Sequence, residues 1–181
     1  MNNAQLDAES AYAALRAALA ETLAAEPARR IHLIGIHSGG AWVAQRLHQD
    51  LKLPTPLGTL SSAFHRDDYG RRGLPAEMKA TDLPFEIPGA DIVLVDDILY
   101  TGRTVRAALN ELFDFGRPAR VELAVLLDRG GRELPIEARY CGARHALRPG
   151  QSFVLSRVPE PAPGGVFKLV IEDQQLQPAA R

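Results

Sequence analysis

Asp96 and Asp97 stand side by side directly after the apolar run Ile92-Val93-Leu94-Val95, and after a three-residue spacer the chain reads Thr101-Gly102-Arg103-Thr104. Two adjacent carboxylates accept hydrogen bonds from two vicinal hydroxyls, such as the 2′- and 3′-OH of a ribose. The hydroxyls, glycine and backbone N–H groups of residues 101–104 make a cradle for phosphate, because the unsatisfied N–H groups of a helix N-terminus attract anions. A phosphorylated pentose satisfies both ends.

An element must bring these groups together. Ile92–Val95 is short, rich in β-branched residues and continuously apolar, the pattern of a strand buried on both faces of a parallel sheet. The acids then fall at its carboxyl end, and ligands of open α/β sheets bind beyond the carboxyl ends of strands. Each half of the pattern has a purely structural use, since acids can end a strand and Thr-Gly can cap a helix. Joined to the helix predicted over Arg103–Phe115, which Gly116 and Pro118 stop, the two halves point to a ligand site. Neither G-x-x-x-x-G-K-[ST] nor G-x-G-x-x-G occurs, so P-loop and dinucleotide sites lack their glycines. A receiver domain also opens on a strand with paired acids. It would need most of its residues after them, whereas less than half of this chain follows Asp97.

Two further strand ends carry candidate residues. Ile31–Ile36 predicts a core strand, followed by His37-Ser38-Gly39-Gly40 and a helix from Ala41 to about Leu51. Ser38, Gly39 and Gly40 are small enough to let backbone N–H groups approach a second phosphate. Val121–Leu127 predicts another strand, ending in Asp128-Arg129-Gly130-Gly131-Arg132. Arg129 and Arg132 then face the ligand side, with Asp128 able to orient them or a base.

Val93 to Thr104, V-L-V-D-D-I-L-Y-T-G-R-T, resembles the phosphoribosyl pyrophosphate (PRPP) motif of type I phosphoribosyltransferases. Leu127 to Ile136, L-D-R-G-G-R-E-L-P-I, is similar to a segment specific to the PyrR family, pyrimidine operon regulators with uracil phosphoribosyltransferase activity. The resemblance is strong from about Ala90 to Gly142. It implies an α/β fold of the type I phosphoribosyltransferase kind, a mostly parallel twisted sheet flanked by helices with a small hood near residues 132–150. It implies transfer from PRPP to uracil, giving UMP, with Mg²⁺ carried on PRPP and no direct metal site in the protein. Catalytic roles fall to Asp96, Asp97 and Arg129. PRPP is held by Ser38, Gly39, Gly40, Asp96, Asp97, Thr101, Gly102, Arg103 and Thr104, and the base pocket by Asp128, Arg129 and Arg132. His65-Arg66-Asp67-Asp68 resembles the start of a loop that covers the active site, making Arg66, Arg71 and Arg72 candidates for pyrophosphate.

The resemblance also implies dimers or larger homo-oligomers and mRNA binding, and here the chain departs from the family. Where PyrR proteins carry lysine, threonine, arginine and glycine in the pyrophosphate loop, this chain has His37, Ser38, Gly39 and Gly40, so neutralisation must come from Mg²⁺ or an arginine elsewhere. The helix predicted over Leu6–Ala25 offers Arg16 among alanines where the family has more polar and basic residues for RNA. Arg139, Arg144, His145 and Arg148 form the best local basic cluster for RNA. A UMP-sensing RNA regulator with little catalysis, and a phosphoribosyltransferase for another base, are the alternatives.

The remaining sequence sets bounds. With 181 residues, 46% of them hydrophobic, the chain predicts a single domain over 1–181. Its 21 Lys and Arg against 22 Asp and Glu give a net charge of −1, so nothing in the total advertises nucleic acid. One cysteine, Cys141, makes no internal disulfide, and no signal peptide or long apolar span appears, which predicts a cytoplasmic protein without a membrane partner. No zinc-like His/Cys spacing occurs. Leu57–Phe64 predicts a further strand, and Ser152–Val158 with Val166–Ile171 a hairpin finishing the sheet or the hood.

Overall fold

Residues 7–61, 80–158 and 165–173 are described by a computed structural model of the chain. The first helix, α1 (Ala8–Ala25), starts where the Asp7 carboxylate accepts from the backbone N–H groups of Glu9 and Ser10, satisfying two otherwise orphaned donors. Its Leu15 and Leu19 are fully buried. After it come β1 (Ile31–Ile36), α2 (Gly39–Asp50), β2 (Gly58–Leu60), β3 (Asp91–Leu99) and α3 (Arg103–Asp114). The chain then forms β4 (Arg120–Asp128), β5 (Tyr140–Arg144), β6 (Gln151–Val158) and β7 (Val166–Asp173).

Strands β1 to β5 make one sheet in the order β2-β1-β3-β4-β5, with every neighbouring pair parallel. Its central strands are continuously apolar because both faces are covered. Leu33, Val93, Val95, Ala124 and Leu126 pack beneath α1 and α2. Ile34, Ile92, Leu94 and Val125 meet Val105, Ala108 and Leu112 of α3 on the other face. A fully buried leucine on either face stabilises the fold by roughly 2 kcal/mol over an exposed one.

The amino ends of the strands are joined by charge. Arg29, whose side chain is only 5% exposed, donates to both oxygens of Asp91 (2.7 and 2.8 Å) and to Oε2 of Glu122 (2.8 Å). The Tyr140 hydroxyl also donates to Glu122 Oε2 (2.9 Å). One guanidinium thus links the starts of β3, β4 and β5, at the edge opposite the acid pair.

Three expectations are modified. The strand expected over Leu57–Phe64 is the short β2, and residues 62–64 lie outside the described residues. The terminal hairpin β6–β7 neither finishes the sheet nor joins a hood, because its antiparallel strands pair with each other and its apolar side chains seal against α1 and α2. Phe167 meets Tyr12 edge to face (centroids 5.6 Å apart), and its N–H donates to Glu9 (2.8 Å). Arg46 lies 4.0 Å over the Tyr12 ring while its guanidinium forks onto Glu9 with two bonds of 2.7 Å. The segment 132–150, expected as a hood, divides. Residues 132–136 fold against the end of β3, and 140–144 are the edge strand β5.

Candidate active site

Strand β3 outruns β1. Its ladder with β1 ends at Gly35 opposite Val95, whereas its ladder with β4 continues to Leu99 opposite Asp128. Asp96 and Asp97 therefore lie inside the strand but beyond its β1 neighbour, beside the loop that leaves β1. Asp96 is 5% exposed, and its Oδ1 accepts from the Asp97 N–H (3.0 Å).

The loop His37–Gly40, with a cis His37–Ser38 peptide, steps across this open end. A Cβ on Gly39 would overlap Asp97 Oδ2 and lie 2.5 Å from its Cγ. One on Gly40 would overlap the Val95 carbonyl and come within 2.8 Å of Asp96 Cα. Both glycines are therefore required by close approach of the acid-bearing strand. Ser38 is exposed at the loop's outer side.

Beyond the acids the chain turns into α3. Gly102, at φ +91°, caps that helix in the left-handed conformation, and Thr101 Oγ1 accepts from the Arg103 N–H (3.3 Å). The Thr101 carbonyl accepts from the N–H groups of Glu133 (3.0 Å) and Leu134 (3.1 Å), so the segment after β4 braces the turn from outside. Arg103 pairs with Glu133 at 2.7 Å, both about half exposed, a contact of small energetic weight.

Asp128, Arg129 and Arg132 reach the same edge but have different uses. Every guanidinium nitrogen of Arg132 donates to a protein oxygen: Nε to the Ile136 carbonyl (2.9 Å), Nη1 to that of Tyr100 (2.9 Å) and Nη2 to Asp128 Oδ2 (2.7 Å). Arg132, expected in the base pocket, locks the loop to the end of β3 through these bonds. Burial pushes the Asp128 carboxyl up, but the Arg132 hydrogen bond, the Gly130 N–H and the charges of Arg132 and Arg144 outweigh it and leave it below the usual carboxylate range. Arg129 lies with its guanidinium carbon 3.9 Å from the centre of the Tyr100 ring. No sequence signal marks Tyr100 beyond its place between the acid pair and Thr101.

Ser38 to Gly40, Asp96, Asp97 and the 101–104 turn are thus neighbours along one carboxyl edge, with Asp128 and Arg129 beside them. Arg66, Arg71 and Arg72 lie outside the described residues. Of the basic cluster, Arg139 precedes β5, while Arg144, His145 and Arg148 stand at and beyond its far end. Arg139 pairs with Glu122 (3.1 Å) before the strand, and Arg144 with Asp128 (3.9 Å) and Glu137 (3.8 Å) at its far end. The outer face of α1 presents Ala13, Ala14, Arg16, Ala17 and Glu21. Burial pushes the half-buried Cys141 thiol up, and it donates to the Ala143 carbonyl (3.1 Å), so it is no ready nucleophile. A cavity of about 490 Å³ bordered by Leu109, Val121 and Ile136 opens beside α3 and includes neither the acids nor the turn.

Solved structures share this arrangement of strands. A hypoxanthine-guanine phosphoribosyltransferase from Bacillus anthracis superposes with a TM-score of 0.63 at 21% identity, over 83% of this chain and 85% of that one. The corresponding enzyme of Leishmania tarentolae, solved with GMP, gives 0.59 at 18% identity over 81% and 84%. At such identities the likeness is one of fold. The phosphoribosyl transferase domain model matches residues 2–144, which places the molecule in that class. Relatives narrow it further. Bifunctional protein PyrR of Ralstonia nicotianae is 52% identical over 162 residues, 90% of this chain and 92% of that protein. Its namesake in Pseudomonas entomophila is 48% identical over 166 residues, 92% and 90%. The chain belongs to the PyrR family of phosphoribosyltransferases. Among the described residues no helix is long and apolar enough to cross a membrane.

Proposed function

We propose that this chain transfers the phosphoribosyl group of PRPP to uracil, giving UMP and pyrophosphate. The bond from uracil N1 to C1′ forms as the C1′–O bond to pyrophosphate breaks, and the N1 proton leaves to solvent. Asp96 and Asp97 hold the ribose 2′- and 3′-hydroxyls. The N–H groups and hydroxyls of Thr101 to Thr104 hold the 5′-phosphate, and the small residues Ser38, Gly39 and Gly40 open their N–H groups to pyrophosphate. The reading rests on one observation, the contact of Gly39 with the Asp97 carboxylate, which makes the ribose acceptors and the small-residue loop neighbours.

Catalysis here is positioning and electrostatics, with no nucleophile required. Mg²⁺ takes hard oxygen donors, and it would enter on the oxygens of PRPP with water completing its shell, leaving Asp96 and Asp97 to the ribose hydroxyls beside it. When bound, it supplies charge neutralisation for departing pyrophosphate. Arg129 adds positive charge at the same edge, and Arg66, Arg71 and Arg72 are candidates for closing over the pyrophosphate. The chain acts as one domain over 1–181, in the cytoplasm, as a homodimer or larger homo-oligomer.

Product analysis with PRPP, Mg²⁺ and uracil, cytosine, hypoxanthine, guanine, adenine or orotate in parallel tests the reaction. UMP from uracil alone supports it. Turnover of a different base keeps the PRPP site and replaces the base, and no turnover overturns the enzymatic reading.

A second role, UMP-responsive binding of mRNA from pyrimidine genes, is favoured by the relatives' name, which calls them bifunctional. The outer face of α1 is alanine-rich, and Arg139 is separated by β5 from Arg144, His145 and Arg148, which are the basic residues such an RNA would meet together. A gel-shift titration of a pyrimidine-operon leader with and without UMP tests this role, and equal mobility at every protein concentration would remove it.

A further inference from the structure

Tyr100 and Arg129 are the first residues past the ends of β3 and β4. Those strands remain in register to the last pair, Leu99 opposite Asp128, and the Arg129 N–H donates to the Leu99 carbonyl (2.9 Å). The next step of the ladder therefore sets Tyr100 beside Arg129, and the guanidinium carbon lies over the ring, 3.9 Å from its centre. Tyr100 is 43% exposed, so it is not placed there to fill the core. Its other contact is equally specific. Gly131 adopts φ +72°, and a Cβ there would stand 2.6 Å from Tyr100 Cε2. Loop and ring fit only with glycine at that position.

The two arginines of the R-G-G-R loop differ in what their donors reach. Arg132 has every nitrogen on a protein oxygen. The Arg129 guanidinium makes its contact with the Tyr100 face and bonds to no acceptor among the described residues. A guanidinium whose protein contact is a ring rather than an acceptor keeps its N–H donors available, and their fork matches the paired oxygens of a phosphate. Stacking also removes rotamer freedom before the ligand arrives, which lowers the cost of ordering a long side chain on binding.

We propose that Tyr100 is a positioning residue that holds the Arg129 guanidinium ready for the phosphate oxygens of the substrate. This rests on the PRPP-dependent reading above and adds to it the residue that orients its arginine. The ring face performs the task, so phenylalanine substitutes for tyrosine and an aliphatic side chain does not.

The test is a double-mutant cycle read by equilibrium binding of PRPP and of inorganic pyrophosphate, in calorimetry with Mg²⁺ present, on the wild type, Tyr100→Leu, Arg129→Gln and the double variant. Tyr100→Leu is expected to weaken binding about fivefold, the size of one exposed cation–π contact. Arg129→Gln is expected to weaken it more, and the double variant to match Arg129→Gln alone. Tyr100→Phe should restore most of what Tyr100→Leu loses, which also guards against a Leu variant that simply folds poorly. Additive losses in the double variant, or equal binding by Tyr100→Leu and wild type, would overturn the proposal while leaving the PRPP site intact. A wild-type chain that binds neither PRPP nor pyrophosphate would overturn the underlying reading and this proposal with it.

Discussion

Gly39 lies so close to Asp97 that a single added methyl at its Cα would overlap the carboxylate. The loop after β1 and the acid pair in β3 therefore set each other's position, and neither can be altered alone. Gly39→Ala is expected to push the Asp97 side chain aside while the α2 register holds. Misplacement of a substrate-holding group by about 1 Å costs on the order of 100-fold in rate. Steady-state kcat/KM for PRPP on the variant, with circular dichroism to check folding, measures it, and a rate within twofold of wild type would contradict the coupling.

The Arg29 junction makes a prediction about stability alone. Removing one partner from a buried charge group leaves the others unpaired, which costs about 3–5 kcal/mol. Arg29→Met takes the buried donor from Asp91 and Glu122 at the starts of β3 and β4, and because Glu122 keeps Arg139 and Tyr140 and Asp91 keeps Arg120 at 4.0 Å, the loss falls at the lower end of that range. Urea denaturation should show a loss of this size, with the PRPP affinity of the folded fraction unchanged because the junction is at the opposite edge. A loss below 1 kcal/mol would mean that water replaces the guanidinium.

The lock between Asp128 and Arg132 responds to acid. The folded-state pKa of Asp128 is depressed, so its contribution to stability is complete above the unfolded value, about 4, and is lost as pH falls through the folded value. Melting temperature followed from pH 6 to pH 2 should therefore fall more steeply in wild type than in Asp128→Asn, whose side chain does not titrate. Parallel curves would show that the carboxylate adds no linked stability.

The acid pair, the turn and the parallel sheet were legible in sequence because each is written in contiguous residues. An apolar run, two acids and Thr-Gly-Arg-Thr point to a strand and the next helix without reference to distant chain, although the strand runs on to Leu99, past the acids expected at its end, because β4 continues to pair with it. Arg132 was not legible, since its role depends on residues 133–136 folding back onto the Thr101 carbonyl. The hairpin's seat on α1 joins Phe167 to Glu9, a contact that no local pattern announces. Sequence order hides that Arg139 stands at the opposite end of β5 from Arg144, His145 and Arg148. Tyr100 needed the β3–β4 register before its partner could be named.

The most direct measurement of the central claim is the rate of UMP formation from uracil and PRPP with Mg²⁺, by wild type and Asp97→Asn side by side. A hydrogen bond to a charged group is worth about 1.5–3 kcal/mol, so the variant should lose roughly 10- to 100-fold in kcat/KM for PRPP while wild type makes UMP. Equal rates, or no UMP from wild type, would contradict it.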